Sequence, residues 1–435
     1  MTILRALIGL TFFCVVAWLL STDRKRVNVR VIIGGLLMQV VVALLVLQTS
    51  AGRSVLDSVS SFATAFMSFG EKGAEMVFGP LVGFMHEAPV EDGQPPAALN
   101  WYSSFPFQHA GEAGKVWIIF AFKALPTIIY FSAVMAILYY LGVMQVIIFG
   151  MAKFMTWTMR VSGAESLAMA ANVFVGQTEA PLVVKPYIPG MTRSELMALM
   201  TGGFATIAGS VLAVYIGILG EDFAGHLLAA SFMSAPAAFV MAKILVPESE
   251  QPATAGAVKL EIKRDSANIL DAAATGTSDG LSLYLNVVAM LISFVAMVAL
   301  VNWGISNITV GEMPLSLERI FGWVFAPVAW AMGVDWTDCQ SFGTLLGTKV
   351  AVNEFVAFGS LGAMAADEAM SERSLQMAAY ALCGFANFAS VGIQIGGISP
   401  LAPERRKDLS RLALRAMMGG AFASWMTATV AGMFL

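Results

Sequence analysis

The feature that most constrains this chain is the gathering of its apolar residues into runs long enough to cross a bilayer, separated by short charged clusters. A helix of about 20 apolar residues spans the hydrocarbon layer with its backbone groups bonded internally. Composition agrees: 58% of the 435 residues are hydrophobic and 12% are charged, whereas a soluble domain carries about a quarter charged residues. Spanning helices are predicted at 4–21, 29–48, 116–142, 196–220, 223–246, 281–304, 376–402 and 409–434. Lys and Arg crowd the loops at 22–30, 243–264 and 405–411, which are read as cytoplasmic. Eight spans then leave both termini outside the cytoplasm. The run Leu7 to Leu20 has one basic residue ahead of it and four soon after, the reverse of a signal peptide, so it is read as a retained helix.

Other function classes find little support. The basic residues form no single patch, so no nucleic-acid partner is expected. Cys14, Cys339 and Cys383 match no metal spacing and read as packing residues. His86, His109 and His226 have no partner cluster. No nucleophile–His pair suggests an enzyme, and none is expected.

Three regions are not simple spans. Residues 51–80 place Val55, Val59, Phe62, Phe66, Phe69 and Met76 on one face, as in an interfacial amphipathic helix and a candidate oligomer contact. Residues 88–114, rich in Pro, Gly and acidic side chains, suit an extracytoplasmic loop. Residues 247–280 read as a cytoplasmic linker, within which Leu260 to Leu270 could form a short helix.

The segments on either side of this linker share an order of features. Residues 164–191 are broken by Gly176-Gln177-Thr178-Glu179-Ala180-Pro181, and the span after them is interrupted at Thr201 to Ser210. Residues 314–365 are broken around Asn353-Glu354-Phe355, and the next span is interrupted at Cys383 to Ser390. Parity makes each broken stretch a re-entrant hairpin, the first from the cytoplasm and the second from outside. The expected class is therefore an all-α polytopic membrane protein with about eight spans and an inverted repeat. Irregular backbone survives at membrane depth only when buried in protein or lining a cavity. Taken singly, the small-residue runs also suit helix-packing seams.

Glu179 and Glu354 are the informative pair, since each carboxylate at the bilayer centre costs about 2.5–3.5 kcal/mol on insertion scales. Two readings are open: a ligand site, or structural ion pairs with Lys185 and Lys349. Gln177, Thr178, Asn353, Asn387 and Ser390 favour a neutral ligand with several hydroxyl and amide groups, and these segments contain no Arg that would suit an anion. Asn172 and Thr206, with backbone carbonyls freed near Val175 and Ile207, form a set of oxygen donors suited to Na⁺. Asn172 and Thr206 would equally serve as helix-packing residues.

At these residues the sequence resembles the concentrative nucleoside transporter family. The matching motifs are Gly176 to Leu182, Thr201 to Ser210, Gly347-x-Lys349-x-x-x-Asn353-Glu354-Phe355-Val356-Ala357 and Cys383 to Phe388, with Leu125-Pro126-Thr127-Ile128-Ile129 in the third span. The resemblance runs from about residue 115 to the C-terminus, and the length suits bacterial members, whose place is the inner membrane. It implies a homotrimer in lipid, with a scaffold and a moving transport part. It also implies Na⁺-coupled uptake of nucleosides such as uridine, with cytidine and adenosine as further substrates. Gln177, Thr178 and Glu179 would bind the nucleobase beside Val211. Glu354, Asn387 and Ser390 would bind the ribose, and Phe385 would line the site. Asn172, Val175, Thr206 and Ile207 would hold Na⁺. Thr206 stands where sodium-coupled members often carry Ser, which leaves H⁺ as an alternative coupling ion and a nucleobase or another neutral polar solute as an alternative cargo. Gly176 leaves room for purines.

The expected organisation is an N-terminal scaffold over 1–115 and a third span with an interfacial helix over 116–163. The first repeat half covers 164–246, the linker 247–280, a sixth span in the scaffold 281–313, and the second repeat half 314–435.

Overall fold

Most helices of this protein begin where a polar side chain can occupy the unbonded amides of a first turn. A computed structural model describes residues 2–79, 120–123, 125–220, 222–255, 266–310 and 313–435. The expected loop at 88–114, His86, His109 and residues 256–265 lie outside the described residues.

Helix α1 is Thr2–Leu19, and α2 is Val29–Ala43, continued by a π turn at Leu44–Gln48. Helix α3, Ser50–Phe78, is the expected amphipathic segment, and its Phe66 ring packs 4.7 Å from that of Tyr130. Tyr130 belongs to α4, Thr127–Tyr140, which turns by 77° into α5, Val143–Met159. Gly142 makes that corner with a left-handed φ of 85°.

Next come α6 at Gly163–Asn172, α7 at Arg193–Ala205, α8 at Gly209–Leu219, α9 at Phe223–Leu245 and α10 at Ile269–Ile305. A two-residue ribbon follows, with β1 (Thr309–Val310) antiparallel to β2 (Met313–Pro314) and Thr309 opposite Pro314. The remaining helices are α11 at Leu317–Met332, α12 at Cys339–Ala351, α13 at Glu354–Ala366, α14 at Glu372–Leu382, α15 at Phe388–Ile398 and α16 at Arg406–Ala431.

By length and composition, four segments among the described residues suffice to cross a membrane: Val29–Gln48, Arg193–Leu219, Phe223–Leu245 and Ile269–Ile305; α4 and α5 make a fifth if taken as one bent span. The other expected spans exist as helices that fall short for local reasons. Helix α1 has a short apolar stretch, Leu4–Leu19. A break separates α14 from α15, and α16 opens on the charged turn Arg406-Lys407-Asp408.

Three expected boundaries are corrected. The linker does not extend to 280, because α10 starts at Ile269, where the Asn268 side chain accepts from the Asp271 amide at 2.9 Å. Gly276 and Gly280, which resemble loop residues in sequence, are a packing seam. A Cβ on Gly276 would lie 2.6 Å from the Ser132 carbonyl oxygen, and one on Gly280 would lie 2.7 Å from the Ile129 Cα. Residues 314–365 hold three helices rather than the two arms of one hairpin. Gly333 (φ 97°) ends α11, which then packs on α12 where Gly343 meets the backbone of Gly322 and Ala326. In 164–191 only the first part is a full helix, α6. The second part holds one turn at Ala180–Val183, opened by Pro181, and a 3₁₀ turn at Ile188–Gly190, because the closely spaced Pro186 and Pro189 remove two amides within four residues.

Helix α9 is central and α10 peripheral: 89% of the apolar window of α9 is buried against 6% in α10. At the centre the two broken helices cross. Gly384 lies between α14 and α15 with φ at 133°, and a Cβ there would stand 2.7 Å from the Phe204 carbonyl oxygen and 2.9 Å from that of Ala205. Backbone cannot yield as a side chain can. Gly384→Ala is therefore expected to destabilise the protein by about 1–3 kcal/mol from backbone strain alone, with the clash in addition. Thermal unfolding of the purified protein measures this, and an unchanged melting temperature would show that the crossing is not so constrained.

Candidate functional site

The second tip is built around Glu354. The chain reverses between α12 and α13 through Val352 and Asn353, and the Asn353 side chain caps α13 by accepting from the Val356 amide at 2.9 Å. Glu354 thus occupies a first helical turn, where the dipole favours a carboxylate. Its side chain is 4% exposed. Oε2 accepts from Asn387 Nδ2 at 2.7 Å and Oε1 accepts from the Tyr215 hydroxyl at 3.3 Å. Asn387 caps α15, its Oδ1 accepting from the Ser390 amide at 2.8 Å. Glu354, Asn387 and Ser390 therefore meet. Phe385 is buried just before them, and Val211 is buried one turn before Tyr215 on α8.

The structural ion-pair alternative fails. Among the described residues neither Glu354 nor Glu179 forms a salt bridge. Lys349 is 0% exposed, but its Nζ donates to the Ala381 carbonyl and to Ser424 Oγ, each at 2.8 Å. Lys185 is exposed.

At the first tip, residues 173–179 run in turns, and the Gly209 amide donates to the Phe174 carbonyl at 3.0 Å, tying the tip to the start of α8. Gln177 is 7% exposed and packs over Gly203 of α7 beside Gln394 of α15. Thr178 rests on Gly397, where a Cβ would meet its Cγ2 at 2.7 Å. Glu179 folds over Gly176 beside Ala208 and is exposed, unlike Glu354. Both tips therefore converge on α15, but no hydrogen bond or ion pair joins the two carboxylates among the described residues.

The expected cation donors cluster at the end of α7. Asn172 is buried over Gly202, whose Cβ position lies 3.0 Å from Asn172 Nδ2. Neither Asn172 Oδ1 nor Nδ2 has a partner among the described residues. Buried Thr206 donates to the Gly202 carbonyl at 2.9 Å and keeps oxygen lone pairs for another contact. Ile207 is buried beside it and Val175 half-buried on the tip. A buried carboxamide with neither atom paired is costly, and an oxygen-coordinated ion fits this donor set. Gln177 Oε1 and Gln394 Oε1 are likewise buried without partners.

Tyr215 and Gln394 escaped the sequence reading, although each follows a singled-out residue (Val211 and Ser390) by one helical turn. A buried network at the starts of α6 and α7 also escaped it. Lys243 pairs with Glu165 at 2.6 Å, donates to Ser194 at 2.9 Å and lies 3.6 Å from Glu248. Glu195 accepts from the Ser162 hydroxyl and the Thr192 amide. The capping boxes Ser162-x-x-Glu165 and Thr192-x-x-Glu195 start α6 and α7, and this S/T-x-x-E spacing is the signal that would have found them.

Comparison with known proteins places this geometry in context. Family models match residues 8–81 (Na⁺ dependent nucleoside transporter N-terminus), 121–222 (Nucleoside recognition) and 226–432 (Na⁺ dependent nucleoside transporter C-terminus). The chain is 35% identical to the nucleoside permease NupC of Helicobacter pylori, over 99% of this chain and 98% of that protein. Among solved structures, CNTnw in an inward-facing substrate-bound state is 39% identical with a TM-score of 0.86, covering 100% of this chain and 98% of that one. A variant of CNTnw in an outward-facing state is 38% identical with a TM-score of 0.87 and the same coverage.

Proposed function

This chain belongs to the concentrative, Na⁺-dependent nucleoside transporter family, and from that premise we propose that it is a symporter coupling inward Na⁺ movement to nucleoside uptake. The family is one of multipass membrane transporters rather than enzymes. The observation that carries the finer reading is the convergence of both polar tips on α15, beside buried amides that lack partners.

In this reading Gln177, Thr178 and Glu179 bind the nucleobase, with Val211 against it. Glu354, Asn387 and Ser390 bind the ribose hydroxyls, and Phe385 lines the site. Asn172, Val175, Thr206 and Ile207 hold Na⁺ as a co-transported ion. Na⁺ orders the first tip, the nucleoside bridges both tips, and the closed unit moves across the membrane by alternating access. The inward- and outward-facing forms of CNTnw support such a cycle. The tips act as hairpins of opposite orientation. Helix α10 packs on α4 through its first half and leaves its apolar window almost unburied, which supports assembly into a homotrimer. The protein works in the bacterial inner membrane with both termini outside. Uridine is the proposed substrate, with cytidine and adenosine behind it.

One observation favours a second reading, proton-coupled uptake: Glu354 is a buried carboxylate with hydrogen-bond donors and no ion-pair partner among the described residues, a group able to carry a proton. Uptake of labelled uridine into proteoliposomes, with Na⁺ and pH gradients imposed separately, decides between them. Accumulation is expected with an inward Na⁺ gradient and should fall little when the proton gradient is collapsed. The reverse dependence would establish H⁺ coupling. Failure to accumulate any nucleoside, or preferential competition by free uracil, would reject nucleoside symport.

A further inference from the structure

Helix α15 touches both tips, with Asn387 on Glu354 at its start and Gln394 and Gly397 against the first tip further along. Gln394 is 0% exposed and lies outside the residues assigned above. Its Nε2 donates to the Met200 carbonyl of α7 at 3.0 Å. That bond and full burial hold the carboxamide, whose Oε1 has no partner among the described residues. Gly203 makes the arrangement possible. Gln394 Nε2 and Gln177 Cβ both lie within 2.9 Å of the point where a Gly203 side chain would begin. Gln177 Oε1 is unpartnered as well. Two carboxamide side chains thus meet over Gly203, each with a buried oxygen that has no donor among the described residues, which rewards a ligand that brings N–H groups.

We propose that Gln394 is a specificity-determining residue that positions Gln177, so that the first tip selects nucleobases presenting an N–H donor at their pairing edge. This rests on the nucleoside reading above. A hydroxyl-rich ribose does not need such a site, because Glu354 and Asn387 already serve it. The N3–H of uracil has the required chemistry, and methylation removes it.

The test compares KM for uridine and 3-methyluridine in proteoliposomes, in the wild type and in Gln394→Leu, which keeps bulk but removes the amide. The wild type is expected to discriminate against the methylated compound by about fivefold or more, the worth of one net hydrogen bond. Gln394→Leu should lose that discrimination while retaining its Na⁺ dependence. Should the leucine variant fail to reach the membrane, Gln394→Met carries the same measurement. Equal discrimination in variant and wild type, or a fall in maximal rate alone, would make Gln394 a packing residue and overturn the proposal. So would a wild type that does not distinguish the two compounds. A wild type that takes up no nucleoside at all refutes the transport reading instead, so the two failures are distinguishable.

Discussion

Uridine uptake by Glu354→Gln is expected to fall about 10- to 100-fold, with the protein present in the membrane at wild-type levels. The carboxylate accepts two hydrogen bonds, from Asn387 Nδ2 at 2.7 Å and from the Tyr215 hydroxyl at 3.3 Å. A glutamine offers one oxygen and one NH₂ group in the same space, so either the Tyr215 hydroxyl turns from donor to acceptor or Asn387 Nδ2 faces another donor, and the two charge-assisted bonds are lost in both cases. Hydrogen bonds to charged groups are worth about 1.5–3 kcal/mol, which sets the range of the loss. The carboxylate is also the strongest acceptor available to ribose hydroxyls at this tip. Because Asn353 rather than Glu354 caps α13, the helix itself should persist. Filter-binding uptake, with surface quantification of the protein, reads both quantities. Wild-type uptake in Glu354→Gln would remove this tip from the site.

Lys243→Met should damage stability rather than selectivity. Lys243 is buried and pairs with Glu165, itself buried, at 2.6 Å, while also donating to Ser194. Removing one partner of a buried pair leaves an uncompensated charge and costs about 3–5 kcal/mol. The expected result is a large drop in the melting temperature of detergent-purified protein, or its loss from the membrane. Adding Glu165→Gln to Lys243→Met should recover part of the loss, since the amide oxygen can still accept from the Ser162 backbone N–H. A single variant that melts with the wild type would show that the feet of α6, α7 and α9 are held by something else. Neutral replacement of the pair separates this role from transport: nucleoside KM should be unchanged in whatever folded protein remains.

Several misreadings share a cause. Gly276 and Gly280 resemble loop residues until α4 is placed beside them. Gly333, with its left-handed φ, ends a helix inside what reads as one continuous apolar stretch. Lys349 is five positions before Glu354 and invites an ion pair, yet its ammonium turns to Ala381 and Ser424 on other elements. In each instance a residue's role depends on what lies across from it rather than beside it.

Residence in a membrane, the positions of most helices, the polar breaks at 176–181 and 353–355, and the choice of Glu354 as a candidate site residue all follow from local sequence. Run length, Pro and Gly placement and the cost of a carboxylate in hydrocarbon are properties of a short window. Tertiary structure alone decided that Tyr215, 139 positions away, reaches Glu354, that Lys349 pairs with neither glutamate among the described residues, and that the Glu179 carboxylate folds back over Gly176. A hydrogen bond requires donor and acceptor atoms within about 3.5 Å, and distance between segments so far apart along the chain is set by packing, which leaves no periodic trace in either of them.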